Sequence, residues 1–183
     1  PLISGKDSMK NDFWDGNVKI SIPPTLLFSV IGKIDDIRTA VTMDAKRPGD
    51  IVYLLGKTGY ELGGSEYLAL KGFVGNSVPQ VNTAKALPRY RALHRAISQG
   101  LVASCHDLSD GGLAVALAET AFAGGFGIVA ELSRVLWSGD EALKGDAALL
   151  FSESASRHLV TVRPENREAF ESVMAGNCFS SIG

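Results

Sequence analysis

Two short runs, TLLFSVIGKI (residues 25–34) and DIVYLLG (50–56), carry apolar side chains at odd and even positions alike. Successive residues of a strand point to opposite faces, so strands of this composition need cover on both sides. The chain must therefore be layered, with helices over its sheet. Those helices are legible too. In 88–99, Tyr90, Leu93 and Ile97 share a face, Pro88 suits a first turn and Gly100 an end. From Leu113, the spacing Leu113, Leu117, Ala121 marks a buried stripe, and its alanine-rich surroundings imply close approach to a neighbour.

The remaining segments complete the pattern. KTGYELGGSEYLALKG (57–72) reads as a Gly-rich turn into a short helix. Pro164 starts another helix, with Phe170, Val173 and Met174 facing inward and Gly176 as its stop. LVASCHD (101–107), FGIVAEL (126–132) and CFSSIG (178–183) read as strands, and AALLFSESASRHLVTV (147–162) as strand, turn, strand. Residues 133–147 are expected to be irregular, with a short helix at Asp140 to Leu143. Residues 1–22, ending at Pro23-Pro24, read as a loop and connecting segment. The expectation is an α+β fold, a mixed β-sheet flanked by helices.

Bulk properties narrow the function. The 183 residues suffice for one good-sized core, and a formal charge of −2 gives no basic surface for nucleic acid. No apolar run approaches the ~20 residues of a membrane span, and the polar first twenty residues are no signal peptide. Cys105 and Cys178 are too few for a disulfide framework and lack metal-ligand spacing. A reduced, cytoplasmic protein is expected. It begins at Pro1, in what reads as mid-domain, and is expected to be a piece of something larger.

The chemistry concentrates in HDLSDGGLAVALAE (106–119). A helix N-terminus offers unpaired amides and a partial positive charge to phosphate. Gly111 and Gly112 would let a phosphate approach, or simply allow close packing. Asp107 is a hard oxygen ligand suited to Mg²⁺, and Ser109 could bond a phosphate or cap the helix. His106 reads as a packed or hydrogen-bonded residue rather than a catalyst. Cys105 and His106 point to opposite strand faces, so a thiol–imidazole pair is not expected. TGYELGGSEY (58–67), with Glu61, Ser65 and Glu66 beside its Gly pair, is either an anion cradle or a tight turn with a capping serine. FSESASRH (151–158) offers Ser152, Glu153, Ser154 and Arg157, or else a polar hairpin with a surface arginine. In SGKDSMKND (4–12), Lys6, Asp7 and Ser8 could meet phosphate, metal and substrate, or form a polar loop; P-loop spacing is absent.

Read together, GKDSMK, PPTLLFSVIGKIDDIR, ELGGSEY, HDLSDGGLAVALAE and LFSESASRHLVTV resemble, in order and over nearly the whole chain, the phosphoribosylformylglycinamidine synthases. These form a branch of the family that includes aminoimidazole ribonucleotide synthetase and selenophosphate synthetase. The resemblance implies that residues 1–22 are the tail of a preceding ATP-binding half-domain with its linker, and that 23–183 form a C-terminal-type half-domain. It implies an ATP-dependent C–N ligase of purine biosynthesis. Formylglycinamide ribonucleotide, ATP and ammonia from glutamine would become formylglycinamidine ribonucleotide, ADP and phosphate. ATP would phosphorylate the amide oxygen, ammonia would displace it, and Mg²⁺ with fixed donors would stabilise the transferring phosphoryl group.

Carried over by position, the resemblance implies nucleotide contacts at Gly5 and Ser109, substrate contact at Ser8 and metal ligation at Asp107. Lys6 stands where some members have a metal-binding asparagine, which puts metal ligation there in doubt. No catalytic residue is assigned. The nucleotide would be ATP, or ADP at a non-turnover site that holds the fold together. Implied partners are the missing synthetase half-domains, a glutaminase domain or subunit and the small-molecule substrate. The isolated chain is expected to be inactive, and an uncovered TLLFSVIGKI would drive it to self-associate as a homodimer. Two alternatives stay open: a non-catalytic, nucleotide-holding module, and a half-domain of a related aminoimidazole ribonucleotide synthetase-type enzyme.

Overall fold

The computed structural model describes residue 5, residues 12–21 and residues 27–183. These divide into two compact units, the first reaching Asp35 and the second spanning Asp36–Gly183.

In the first unit, β1 (Asp12–Asp15) and β2 (Val18–Ser21) form an antiparallel hairpin, pairing Asp12 with Ser21 and Asp15 with Val18. The sequence suggested only a connecting segment here. A two-residue Gly-Asn loop explains the difference: Gly16 takes φ +60°, which matches the twist of flanking strands. Residues 27–34, expected as a strand, belong to none. Their apolar side chains stand exposed, Leu27 at 90% and Ile31 at 96%. A strand apolar on both faces is stable only with ladder neighbours and two covering layers, and the described residues offer it no ladder.

The second unit is built on β3 (Ile51–Leu55), the strand that DIVYLLG predicts. It is central in a four-stranded sheet of order β5 (Ser104–Asp107), β7 (His158–Val162), β3, β8 (Phe179–Ser181). Every ladder in this sheet is antiparallel. Parallel pairing is confined to a short ladder between β4 (Thr58–Gly59) and β6 (Trp137–Ser138), so the mixed character lies between sheets. Both faces of β3 are covered, as its composition requires. On one, Tyr53 and Leu55 pack with Ala92, Leu93 and Ala96 of α2 (Thr83–Ser98) and Phe170 and Met174 of α5 (Arg167–Met174). On the other, Val52 and Leu54 meet Leu113 and Ala116 of α3 (Gly112–Gly124) and Leu149 of α4 (Asp146–Phe151). Leu54 and Leu55 are fully buried, each worth roughly 1.5–3 kcal/mol of transfer free energy.

Several elements differ from their sequence reading for local reasons. Helix α2 starts at Thr83 and carries Pro88 inside it, because the Asn82 side chain caps it by accepting from Lys85 N–H at 3.1 Å. AALLF is the helix α4 rather than a strand; alanine and leucine are strong helix formers, and Asp146 favours the first turn. Residues 126–131 form no strand and lead into a 3₁₀ turn at Leu132–Arg134. Glu131 N–H reaches Ile182 O at 2.6 Å, but Gly127 weakens the run as a strand. The buried stripe of α3 is Leu113, Ala116 and Thr120, with Leu117 only partly covered.

The short helix α1 (Glu66–Leu70), the 3₁₀ turn Glu141–Leu143 capped by Asp140, and the 3₁₀ turn Pro164–Asn166 that leads straight into α5 fall where expected. Among the described residues, no helix is long and apolar enough to cross a membrane.

Candidate functional site

Strand β5 carries Cys105, His106 and Asp107 to the edge of the sheet, where Asp107 pairs with His158 of β7. The Asp107 side chain is 71% exposed, and Ser109 and Asp110 are exposed beside it. His106 is not free. Its Nε2 lies 2.7 Å from Glu119 Oε2 on α3, and its Nδ1 3.5 Å from Asp107 Oδ1. It ties β5 to α3, as a packed histidine would.

The Cys105 thiol is poorly set up to ionise. Burial, helped by the nearby Asp107 charge, pushes its thiol up to about 11. Alkylation of Cys105 by iodoacetamide at pH 8 is expected to run on the order of 100-fold slower than that of free cysteine. A rate-versus-pH curve with its midpoint near the ordinary thiol value would contradict this.

The start of α3 resolves what its glycines do. Gly111 (φ +76°) and Gly112 (φ +63°) are both left-handed, and Gly111 is the cap residue, with no side-chain cap bond. A Cβ on Gly112 would lie 2.5 Å from Ser152 O and 2.9 Å from Leu150 O, so Gly112 serves close packing against α4. Ser109 does not cap α3, which leaves its hydroxyl on the exposed edge beside Asp107. Gly112 N–H donates to Ser109 O at 3.0 Å.

An internal carboxylate already holds part of this helix end. Glu153 Oε1 accepts Gly111 N–H at 2.8 Å and Glu66 N–H at 3.0 Å, joining the first turns of α3 and α1. The sequence offered Glu153 only as a member of a polar turn. Its partners lie far away in the chain, and no local spacing announces them.

The two other polar motifs are tied into the fold. ELGGSE is a tight turn with a capping serine: Ser65 Oγ accepts Leu68 N–H at 3.3 Å, and a Cβ on Gly63 would lie 2.6 Å from Ser77 N. In FSESASRH the arginine is not on the surface. Arg157 is 1% exposed, and its guanidinium donates to Ser154 O and Thr58 Oγ1, each at 2.9 Å, and to Ser152 O. Burial pushes it down to about 10, against the pull of Glu61 and Glu153. It threads the turn from inside and satisfies carbonyls of Ser152 and Ser154, both buried.

Of the residues expected to bind ligand, Asp107 and Ser109 are brought together on one open edge. Gly5 is exposed in the first unit, and Ser8 and Lys6 lie outside the described residues. Among the described residues, no group of three or more His, Cys, Asp or Glu side chains gathers to hold a metal. Mg²⁺ commonly uses one or two carboxylates and takes its other ligands from water and phosphate. The exposed Asp107 carboxylate fits that role as a single anchor.

Residues 47–183 match the family described as AIR synthase related protein, C-terminal domain. Phosphoribosylformylglycinamidine synthase subunit PurL of Alkaliphilus metalliredigens is 41% identical over 172 residues, covering 93% of this chain and 22% of its own length. The same subunit from Lactobacillus helveticus is 38% identical over 184 residues, covering 100% of this chain and 23% of its own length. The chain thus spans under a quarter of the curated relatives it matches. A solved structure, T. maritima PurL complexed with FGAR, aligns with a TM-score of 0.68 at 24% identity, over 80% of this chain and 25% of that one. At that identity the likeness is one of fold.

Proposed function

We propose that this chain, which belongs to the AIR synthase related proteins and contains their C-terminal domain, is part of a phosphoribosylformylglycinamidine synthase and presents one edge of a magnesium–nucleotide site. The observation that carries the reading is the relation to the PurL subunits along nearly the whole chain. Residues 1–22 would be the tail of a preceding ATP-binding half-domain, and 23–183 the C-terminal-type half-domain. The parent enzyme would work in the cytoplasm with a glutaminase domain or subunit. It would convert formylglycinamide ribonucleotide to its amidine with ATP and ammonia.

In this reading Asp107 is the metal's protein carboxylate and Ser109 contacts the nucleotide it neutralises; Gly5, in the first unit, is separately given a nucleotide contact. Ser8 contacts substrate. Mg²⁺ would supply charge neutralisation to the phosphates. The chain's own residues do the holding. The His106–Glu119 bond at 2.7 Å fixes the end of β5, and Glu153 fixes the start of α3, so Asp107 and Ser109 project from a braced corner.

A second reading, that the nucleotide is held for structure and does not react, has its own support. His106 is engaged by Glu119, and the half-buried Cys105 thiol is pushed up, so neither of them stands ready as a base or nucleophile at this edge.

Calorimetric titration with ADP, with and without Mg²⁺, tests the site. Metal-dependent binding should weaken at least about tenfold in Asp107→Ala, the worth of one charge-assisted contact. Equal affinity in the variant would remove Asp107 from the site. Turnover of the full-length parent carrying the same substitution separates the two readings. Lost turnover with nucleotide retained supports a reacting site; lost nucleotide and lost stability support a structural one.

A further inference from the structure

Helix α2 carries the formal cations Lys85, Arg89, Arg91 and Arg95, together with His94, and no acid. The whole chain has a formal charge of −2, so everything outside this helix is net acidic. The inner face of α2 is Ala92, Leu93 and Ala96, packed on the sheet. Turned away from them are Arg91, His94 and Arg95, all exposed, with the 49%-exposed Leu87 one turn before Arg91. Among the described residues, neither arginine nor His94 takes part in an ion pair.

Helix formation alone does not call for this pattern. Arg95 lies in the last turn, where the helix dipole favours a cation. Arg91, one turn earlier, gains little from the dipole and is repelled by Arg95. A pair of carboxylates brought from outside would remove that repulsion. Tyr90, Arg91, His94 and Arg95 line a surface groove of about 350 Å³. Its setting is rigid: Tyr90 stands edge-on to His158 with ring centroids 5.6 Å apart, and the helix is anchored along its inner face. A surface held this way costs little to order when a partner arrives.

We propose that this face docks an acidic helical segment of another protein. Leu87, Arg91 and Arg95 follow one another at four-residue spacing, the spacing at which side chains stand on one side of a second helix. A guanidinium takes a carboxylate bidentately, so each arginine selects one acid. The fitting segment carries two acids a turn apart and an apolar residue a turn beyond them, against Leu87. A nucleic acid fits less well. Its charge runs far past one short face, and the net acidic remainder of the chain repels it. The inference uses no residue of the nucleotide site and does not rest on that reading.

Calorimetric titration of the chain with synthetic helical peptides at low ionic strength tests it. The probe is an alanine–glutamine helix carrying Leu, Glu and Glu at successive turns. Its controls replace both Glu by Gln, or place the two acids on opposite faces. The proteins are wild type, Arg91→Gln, Arg95→Gln, Leu87→Ser and, as an exposed cation elsewhere, Lys71→Gln, each checked for folding by circular dichroism. The paired-acid peptide should bind, and the Gln peptide should not. Each arginine substitution should weaken binding about tenfold, the worth of one charge-assisted contact. Leu87→Ser should weaken it as well, and Lys71→Gln should leave it unchanged. Equal binding of the peptide with its acids on opposite faces, affinity untouched by both arginine substitutions, or no binding at millimolar peptide overturns the proposal. A single-stranded oligonucleotide binding more tightly than the peptide, and losing affinity in the same arginine variants, also overturns it and gives the face to nucleic acid.

Discussion

Gly112→Ala is expected to cost the fold about 2–5 kcal/mol, although it adds one methyl group at the edge of the core. Two costs add. The residue sits at φ +63°, where an L side chain is strained by roughly 1–2 kcal/mol. The new Cβ would also lie 2.5 Å from Ser152 O and 2.9 Å from Leu150 O. Those are backbone atoms of and just after α4, and Ser152 O is further held by the buried Arg157 guanidinium. The clash therefore cannot be relieved by rotating a side chain, and overpacking of this kind typically costs 1–3 kcal/mol more. Gly125→Ala provides the control. Gly125 is equally left-handed at φ +72° but faces open space, so it should lose only about 1 kcal/mol. Urea unfolding of both variants checks the difference; equal losses would mean that α3 does not depend on its close approach to α4.

That contrast also marks what a sequence can and cannot reveal. DIVYLLG disclosed β3 and its two covered faces, because side-chain alternation is a property of the strand itself. Pro164, Ser65 and Asp140 disclosed helix starts for the same reason, since a cap acts within three or four residues. AALLF carries no such mark: five apolar residues fit a buried strand or a helix turn, and the tertiary setting chose the helix. FGIVAEL failed as a strand because, among the described residues, one backbone hydrogen bond, from Glu131 N–H to Ile182 O, ties it to the sheet's last strand segment and no ladder forms. TLLFSVIGKI shows the limit from the other side. Its pattern states what it needs, two covering layers, without stating whether the chain supplies them.

The candidate site divides the same way. HDLSDGG singles out Asp107 and Ser109 as candidates, and what the fold adds is that both are exposed at the sheet edge. The roles of Glu153 and Arg157 were not legible, because their partners Gly111, Glu66 and Thr58 are brought to them only by the fold.

The second large effect is expected at Arg157, and the order of two variants carries the argument. The guanidinium is almost fully buried, and its hydrogen-bond acceptors are two carbonyls and a hydroxyl, with no carboxylate among them. Arg157→Met removes three donors and strands those acceptors, yet it also removes a cation whose burial is costly enough to push it down to about 10. The two terms partly cancel, leaving a loss of about 3 kcal/mol. Arg157→Lys keeps the buried charge and forfeits the fork that satisfied it, so nothing offsets its loss. The lysine variant should therefore be less stable than the methionine variant, the reverse of what conservation of charge would suggest. Amide hydrogen exchange should follow, because Glu153 sits in the turn that Arg157 holds and is the acceptor for Gly111 N–H. Faster exchange at Gly111 and Glu66 in both variants would tie the buried arginine to the corner that presents Asp107. A methionine variant less stable than the lysine one would mean that water or a mobile carboxylate reaches the turn and shares its charge.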